Sequence, residues 1–171
     1  EEQLFALMEK AIVENVGITL VFPCMREFQV EERGKLLIKV DNWCEKRQTR
    51  VEILVNDWGM TALVKESGKH LEPCLGVLLN KQKKDPRMRY KKGSTRGLGE
   101  SNLQADFYRT FLKDTYGITR YEWESCGYPQ VFPQGKNSLH LPYYQTNTSQ
   151  YCPLYASCTA GERGKQRLPE H

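Results

Sequence analysis

VEILVNDWGMTALV, residues 51–64, decides how the chain is read. Val51, Ile53 and Val55 alternate with Glu52 and Leu54, the pattern of a strand covered on one face and partly on the other. Asn56 to Gly59 then gathers turn-formers, with Gly59 free to take a positive φ that Met60 would resist. The stretch reads as a tight hairpin with Trp58 exposed at its tip and a second strand leaving over residues 60–64. That predicts a small β-barrel with a binding edge.

Working outward, residues 1–16 read as an amphipathic helix. Leu4, Leu7, Met8, Ala11 and Ile12 form its stripe, and Gly17 stands where a helix ends. Ile18 to Phe22 is a short strand stopped by Pro23. A polar loop follows, then KLLIKV at residues 35–40 as another strand, and residues 41–50 as a polar connection in which Trp43 half-buries against the barrel. Gly68, Pro73 and Gly76 make residues 67–76 read as irregular chain. Residues 81–99, KQKKDPRMRYKKGSTRGLG, form a basic linker between residues 1–80 and 100–171. Beyond it Ser101 and Gln104 have capping-box spacing, and the helix that follows carries Leu103, Phe107 and Phe111. Tyr121 and Trp123 then alternate with Arg120, Glu122 and Glu124 along a strand, and residues 127–171 are loop-rich.

With 171 residues, 39% hydrophobic and 27% charged, the chain is globular but polar, and large enough for a core without disulfide staples. No apolar run approaches the about 20 residues that cross a bilayer. The start at Glu1, without methionine or apolar leader, reads as a fragment or a processed product. The net charge of +4 is segregated: residues 81–97 hold 8 basic side chains against one acidic, while residues 1–80 hold 10 basic against 13 acidic. The six cysteines (Cys24, Cys44, Cys74, Cys126, Cys152, Cys158) lack any CxxC and read as reduced intracellular thiols. Their even number and the Asn147-Thr148-Ser149 sequon support a secreted, disulfide-bonded alternative.

The order strand, polar hairpin, strand, connection, strand, Asp-aromatic-Gly turn, strand resembles a Tudor domain over about residues 17–79. Asp57, Trp58 and Gly59 carry the resemblance, with KLLIKV and the KHLEPCL segment at 69–75 in the family's places. The flanking helix before and the helix and strand after are similar to the extended Tudor arrangement. The resemblance implies an α+β fold: a small SH3-like, Tudor-like β-barrel with flanking helices and a loop-rich C-terminal part. It also implies a partner peptide held at Phe28, Asp57 and Trp58, within a protein or ribonucleoprotein assembly. Leu36, Val55 and Met60 stand where the family supplies further cage residues, so methylarginine selectivity is not expected.

No nucleophile elbow, metalloprotease helix or phosphate loop is present, and Cys126, His140, Cys152 and Cys158, the one conceivable zinc set, match no standard spacing. The expectation is a non-catalytic, intracellular adaptor without cofactor or metal that engages a partner peptide and no membrane. A basic nucleic-acid-binding or nuclease-like domain is the alternative. In that alternative Lys83, Lys84, Arg87, Arg89, Tyr90, Lys91 and Lys92 hold RNA or single-stranded nucleic acid through phosphates and stacking. Binding to a single-stranded oligonucleotide is then expected to weaken with salt, log K falling with log salt at a slope of about −0.7 per phosphate neutralised. Replacing Lys83, Lys84, Arg87 and Arg89 with Ala flattens that slope equally for all sequences; absence of binding at low salt makes the segment a solvated linker.

Overall fold

The computed structural model of the chain describes residues 1–82, 100–126 and 130–143. Five parallel strands form one sheet in the order β1-β2-β3-β4-β5: β1 Thr19–Val21, β2 Val51–Val55, β3 Leu71–Leu75, β4 Arg120–Glu124 and β5 Lys136–His140. Helix α1 (Glu2–Val13) precedes the sheet. Helices α2 (Val30–Arg47), α3 (Trp58–Ser67) and α4 (Asp106–Tyr116) fill the first three crossovers. The strand–helix alternation is Rossmann-like, but the strand order runs straight across the sheet, which curls into a half-barrel. Strands from both sides of residues 81–99 belong to this one sheet.

The α+β reading with its SH3-like, Tudor-like barrel is therefore overturned. A Tudor barrel is built from antiparallel strands, and every pairing here is parallel. The error lies in residues 57–64. Asp57 is not a hairpin corner. Its backbone is extended, its Oδ1 accepts the Met60 N–H at 2.7 Å, and the helix α3 begins at Trp58. An Asp that satisfies a free first-turn N–H is a helix N-cap, and it turns the chain away from the sheet where a hairpin would turn it back.

Helix α2 replaces the expected loop, strand and connection over residues 30–47. KLLIKV taken alone fits a strand, but Leu37, Val40 and Cys44, spaced by three and four, are the residues that bury. The segment ends at Gln48 with φ 51°, a left-handed cap. Strand β3 runs through the stretch that Pro73 and the flanking glycines made irregular, with all five of its residues in register with β2.

Crossovers between successive neighbouring strands, all of the same hand, return every helix to the same face of a sheet. Here α2 packs on α3 and α3 on α4. The core between helices and sheet holds Leu37, Val40, Met60, Val64 and Leu112 against Val51, Ile53, Val55, Leu75, Tyr121 and Trp123. Contacts between α1 and α2 advance together: Lys39 bonds Glu1 at 2.6 Å, Phe5 meets Trp43, and Arg47 bonds Glu9 at 2.6 Å. The two helices therefore run in the same direction, and α1 extends the helical layer, burying Met8. No helix occupies the β4–β5 connection among the described residues. Phe132 of that loop packs edge-on against Trp123, with ring centroids 5.0 Å apart, and takes the place of a helix there.

Among the described residues no helix is long and apolar enough to cross a membrane.

Candidate functional site

Parallel sheets bearing helices on both faces read as continuous apolar runs. Among the described residues helices cover one face of this sheet, and its other face alternates out of the apolar pattern. Residues pointing away from the helices follow from the register: Thr19 beside Glu52, Leu54 beside Cys74, Arg120 beside Lys136, Glu122 beside Ser138 and Glu124 beside His140. Leu54 and Cys74 are buried yet lie outside the helix-side core.

A polar network crosses all five strands on this face. The Thr19 hydroxyl donates to Glu52 Oε1 at 2.7 Å, and Arg120 Nη1 donates to the same oxygen. Arg120 Nη1 also meets Cys74 Sγ at 3.2 Å, and Nη2 donates to Ser138 Oγ at 2.6 Å. One strand residue further on, His140 Nε2 lies 2.8 Å from Glu122 Oε2. The Glu122 side chain is 9% exposed and that of His140 54%. Against an ionised Glu122 the ring proton sits on Nε2, which leaves Nδ1 with its lone pair as a base. Half-exposed, His140 gives a buried carboxylate its connection to solvent.

The carboxyl ends of the strands are braced by short polar side chains. Asp57 Oδ2 accepts the Met25 N–H at 2.8 Å while Oδ1 caps α3, so one carboxylate fixes the loops after β1 and β2. Asn56 spans from the Phe22 carbonyl to the Leu78 N–H, both at 3.4 Å. A Cβ on Gly76 would come within 2.2 Å of Asn56 Oδ1, so the loop after β3 approaches as closely as it does only through a glycine. Asn80 Nδ2 donates to the Glu122 carbonyl at 2.9 Å, and the Ser101 hydroxyl donates to Asn80 Oδ1. The capping-box spacing of Ser101 and Gln104 is used differently. Ser101 caps a 3-10 turn over Asn102–Gln104 through the Leu103 N–H, Gln104 reaches the Val131 carbonyl, and α4 begins only at Asp106.

The sequence-predicted partner residues fall in different places. Asp57 is structural, as above. Phe28 lies in the 3-10 turn Glu27–Gln29 and is 70% exposed. Trp58, at the start of α3, packs its ring against Phe111 and Tyr116 of α4, with centroids 6.4 and 5.9 Å away. Lys83, Lys84, Arg87, Arg89, Tyr90, Lys91 and Lys92 lie outside the described residues, as do Cys152 and Cys158 of the conceivable zinc set. Among the described residues no three His, Cys, Asp or Glu side chains are placed to hold a metal ion. A shallow groove of about 360 Å³ between α1 and α2, lined by Phe5, Lys39, Asn42, Trp43 and Lys46, lies among the helices, away from this network.

Sequence reasoning missed the sheet-face network. Its signal was present in the polar positions alternating with apolar ones in β2 and β4, namely Glu52, Arg120 and Glu122. The Ser138 and His140 contributions sit in a segment with too little apolar content to read as a strand. No protein-family model, curated protein or solved structure matches this chain.

The Cys74 thiol beside Arg120 is not a nucleophile. Burial, followed by the Glu52 and Glu122 carboxylates, pushes it up to about 12, and burial with Asp41 pushes Cys44 up to about 11. Both thiols therefore keep protons in the folded chain that the unfolded chain releases near pH 8.5. Their contribution to stability is complete below about pH 8.5 and is lost as pH rises through their folded values. Tyr108 and Tyr121, also pushed up by burial, act in the same direction. The urea midpoint is expected to fall steadily above about pH 8.5, and a Cys44→Ala/Cys74→Ala chain to fall less steeply from its own lower starting point. Equal slopes for the two proteins would show that these thiols are not held protonated.

Proposed function

We propose that this chain is a parallel α/β module that binds a small polar molecule at the carboxyl end of its sheet and uses Glu122 and His140 as an acid–base pair. The observation that carries this reading is the 2.8 Å contact between a nearly buried carboxylate and a half-exposed imidazole on adjacent strands. A carboxylate behind a histidine orients the ring and fixes its tautomer, which leaves His140 Nδ1 facing outward to take and return a proton. The position agrees with the general habit of parallel sheets, whose ligands sit beyond the carboxyl ends of the strands; that support is an analogy of fold. The peptide-adaptor reading was argued from a Tudor barrel and goes forward without that support. The free thiols of Cys24, Cys44 and Cys74 support placing the chain in a reducing, intracellular compartment.

The test is a thermal-stability scan of the wild-type chain against pooled polar metabolites. A compound that binds the native state at about one hundred times its Kd adds about 2.7 kcal/mol to stability, a shift well above noise. His140→Ala and Glu122→Gln are each expected to abolish the response to any compound found. A wild-type chain stabilised by none of the pools, or variants that respond as the wild type does, would overturn the reading.

A second reading, a docking surface for a protein partner, is favoured by the aromatic patch at the α3–α4 seam. Trp58 is 43% exposed, Phe111 44% and Phe107 78%. Exposed aromatics grouped on one surface are characteristic of interface cores. A Trp58→Ser/Phe107→Ser chain is expected to lose a co-purifying protein that the wild-type chain retains through a salt wash. Retention of the same protein by the double variant would remove this reading.

A further inference from the structure

Two well-formed ladders make up most of the sheet, and they meet at a thin seam. Strands β2 and β3 pair over five residues, from Val51 with Leu71 to Val55 with Leu75. Strands β4 and β5 also pair over five, from Arg120 with Lys136 to Glu124 with His140. Between β3 and β4 the register holds one pair, Leu75 with Tyr121. Backbone pairing resists the parting of neighbouring strands, so a junction of one pair is the weak line of the sheet. The line continues through the helical layer. There α3 meets α4 through the rings of Trp58, Phe111 and Tyr116, of which Trp58 is 43% and Phe111 44% exposed. Contacts so open to solvent bury little apolar area and stabilise the junction little.

Side chains take over where the ladder stops. At the carboxyl end β3 gives way to Gly76, whose N–H bonds back to the Val55 carbonyl at 2.8 Å, on the β2 side. The Glu122 carbonyl of β4 takes its donor from the Asn80 amide at 2.9 Å, and the Ser101 hydroxyl donates to Asn80 Oδ1. Asn80 and Ser101 are each 5% exposed. Beside them Asn102 Nδ2 donates to the Leu79 carbonyl at 3.0 Å. At the amino end Arg120 reaches back over Cys74 to Glu52. Each of these is a bond between single groups that breaks without disturbing either ladder. Leu112, Tyr121 and Trp123 share one buried core with β2 and β3, so the closed sheet is the ground state.

We infer that the sheet opens at the β3–β4 seam short of global unfolding, with β4 and β5 moving as one ribbon, and that the Asn80–Ser101 pair is the latch that holds it shut. A buried amide suits this role. A carbonyl deprived of its donor is costly while the seam is closed and is satisfied by water once it opens. Glu122 and His140 sit on the two strands of the ribbon, so their contact survives the opening while Arg120 parts from Glu52 and Cys74. The motion needs no ligand at that pair. Cys74, fully buried beside Arg120 in the closed sheet, is uncovered by it. Cys44, buried with α2 in the helix-side core, stays covered.

The experiment is alkylation of the full, reduced chain by iodoacetamide at increasing urea below the unfolding transition, with each thiol followed by peptide mass spectrometry. Every rate is divided by that of the same thiol in the unfolded chain. Without urea Cys74 is expected to react faster than Cys44 by about tenfold or more, and with a shallower urea dependence, since a partial opening exposes less surface than unfolding does. Asn80→Ala speeds Cys74 about tenfold, the effect of leaving a buried carbonyl without its donor. Ser101→Ala, the milder change, acts in the same direction and serves if Asn80→Ala fails to fold. Val40→Ala, in the core under α2, speeds Cys44 and leaves the urea-free rate of Cys74 unchanged. A Cys74 that reacts no faster than Cys44, or shares its urea slope or its response to Val40→Ala, is exposed by global unfolding alone and overturns the seam. A faster Cys74 that neither Asn80→Ala nor Ser101→Ala speeds further overturns the latch.

Discussion

Arg120 is the fulcrum of this sheet. From β4 its guanidinium reaches back over β3 to Glu52 on β2, touches Cys74 on the way, and reaches forward to Ser138 on β5. Thr19, bonded to Glu52, carries the chain of contacts to β1. Backbone ladders hold neighbouring strands together, but this one side chain ties strands that are not neighbours. Its removal would strand Glu52 and Glu122, 20% and 9% exposed at their side chains, without the cation they share. Breaking one partner out of a recessed charge group costs far more than the group contributes when intact.

The two faces of the curled sheet differ. Helices packed on one side meet the strands there at Val51, Ile53, Val55, Leu75 and Trp123. On the opposite face of the curled sheet Leu54 and Cys74 are buried as well, beside the charged side chains of β2 and β4. On that face charges from β2, β4 and β5 lie within bonding distance of one another. At the carboxyl end of the sheet, Asn56, Asp57 and Asn80 hold the loops to one another through backbone groups, so the rim does not depend on apolar packing for its shape.

Much of the chain was legible, and the failures share one cause. The first helix, the strands over residues 18–22, 51–55 and 120–124, and the helix before Gly117 all announce themselves by periodicity within a dozen residues. KLLIKV did not, because six residues with four apolar ones satisfy both a strand and a helix. Only the spacing out to Cys44 distinguishes them. Asp57-Trp58-Gly59 was the costlier ambiguity. Asp is favoured both in tight turns and at helix N-caps, since in both its carboxylate accepts a nearby backbone N–H. Reading it as a turn sets residues 60–64 antiparallel to β2, and an antiparallel barrel is then unavoidable. For the site, Glu52, Arg120 and Glu122 were visible as polar positions within strands. Their convergence depends on register between strands more than sixty residues apart, which local pattern does not carry.

Charge on the face opposite the packed helices is the part of this structure that stability does not demand. Apolar residues of similar size at Glu52, Arg120 and Glu122 would satisfy a one-sided sheet that needed only to be covered, and such replacements are often neutral or stabilising. The network nevertheless runs from Thr19 and Glu52 through Arg120 to Ser138 and ends in the Glu122–His140 contact on β4 and β5. There Glu122 is 9% exposed and His140 54%, so the charged face meets solvent through the imidazole and not through the carboxylate behind it. A residue placed only to cover the sheet has no need of that arrangement, and it is the Glu122–His140 pair that distinguishes this corner of the sheet.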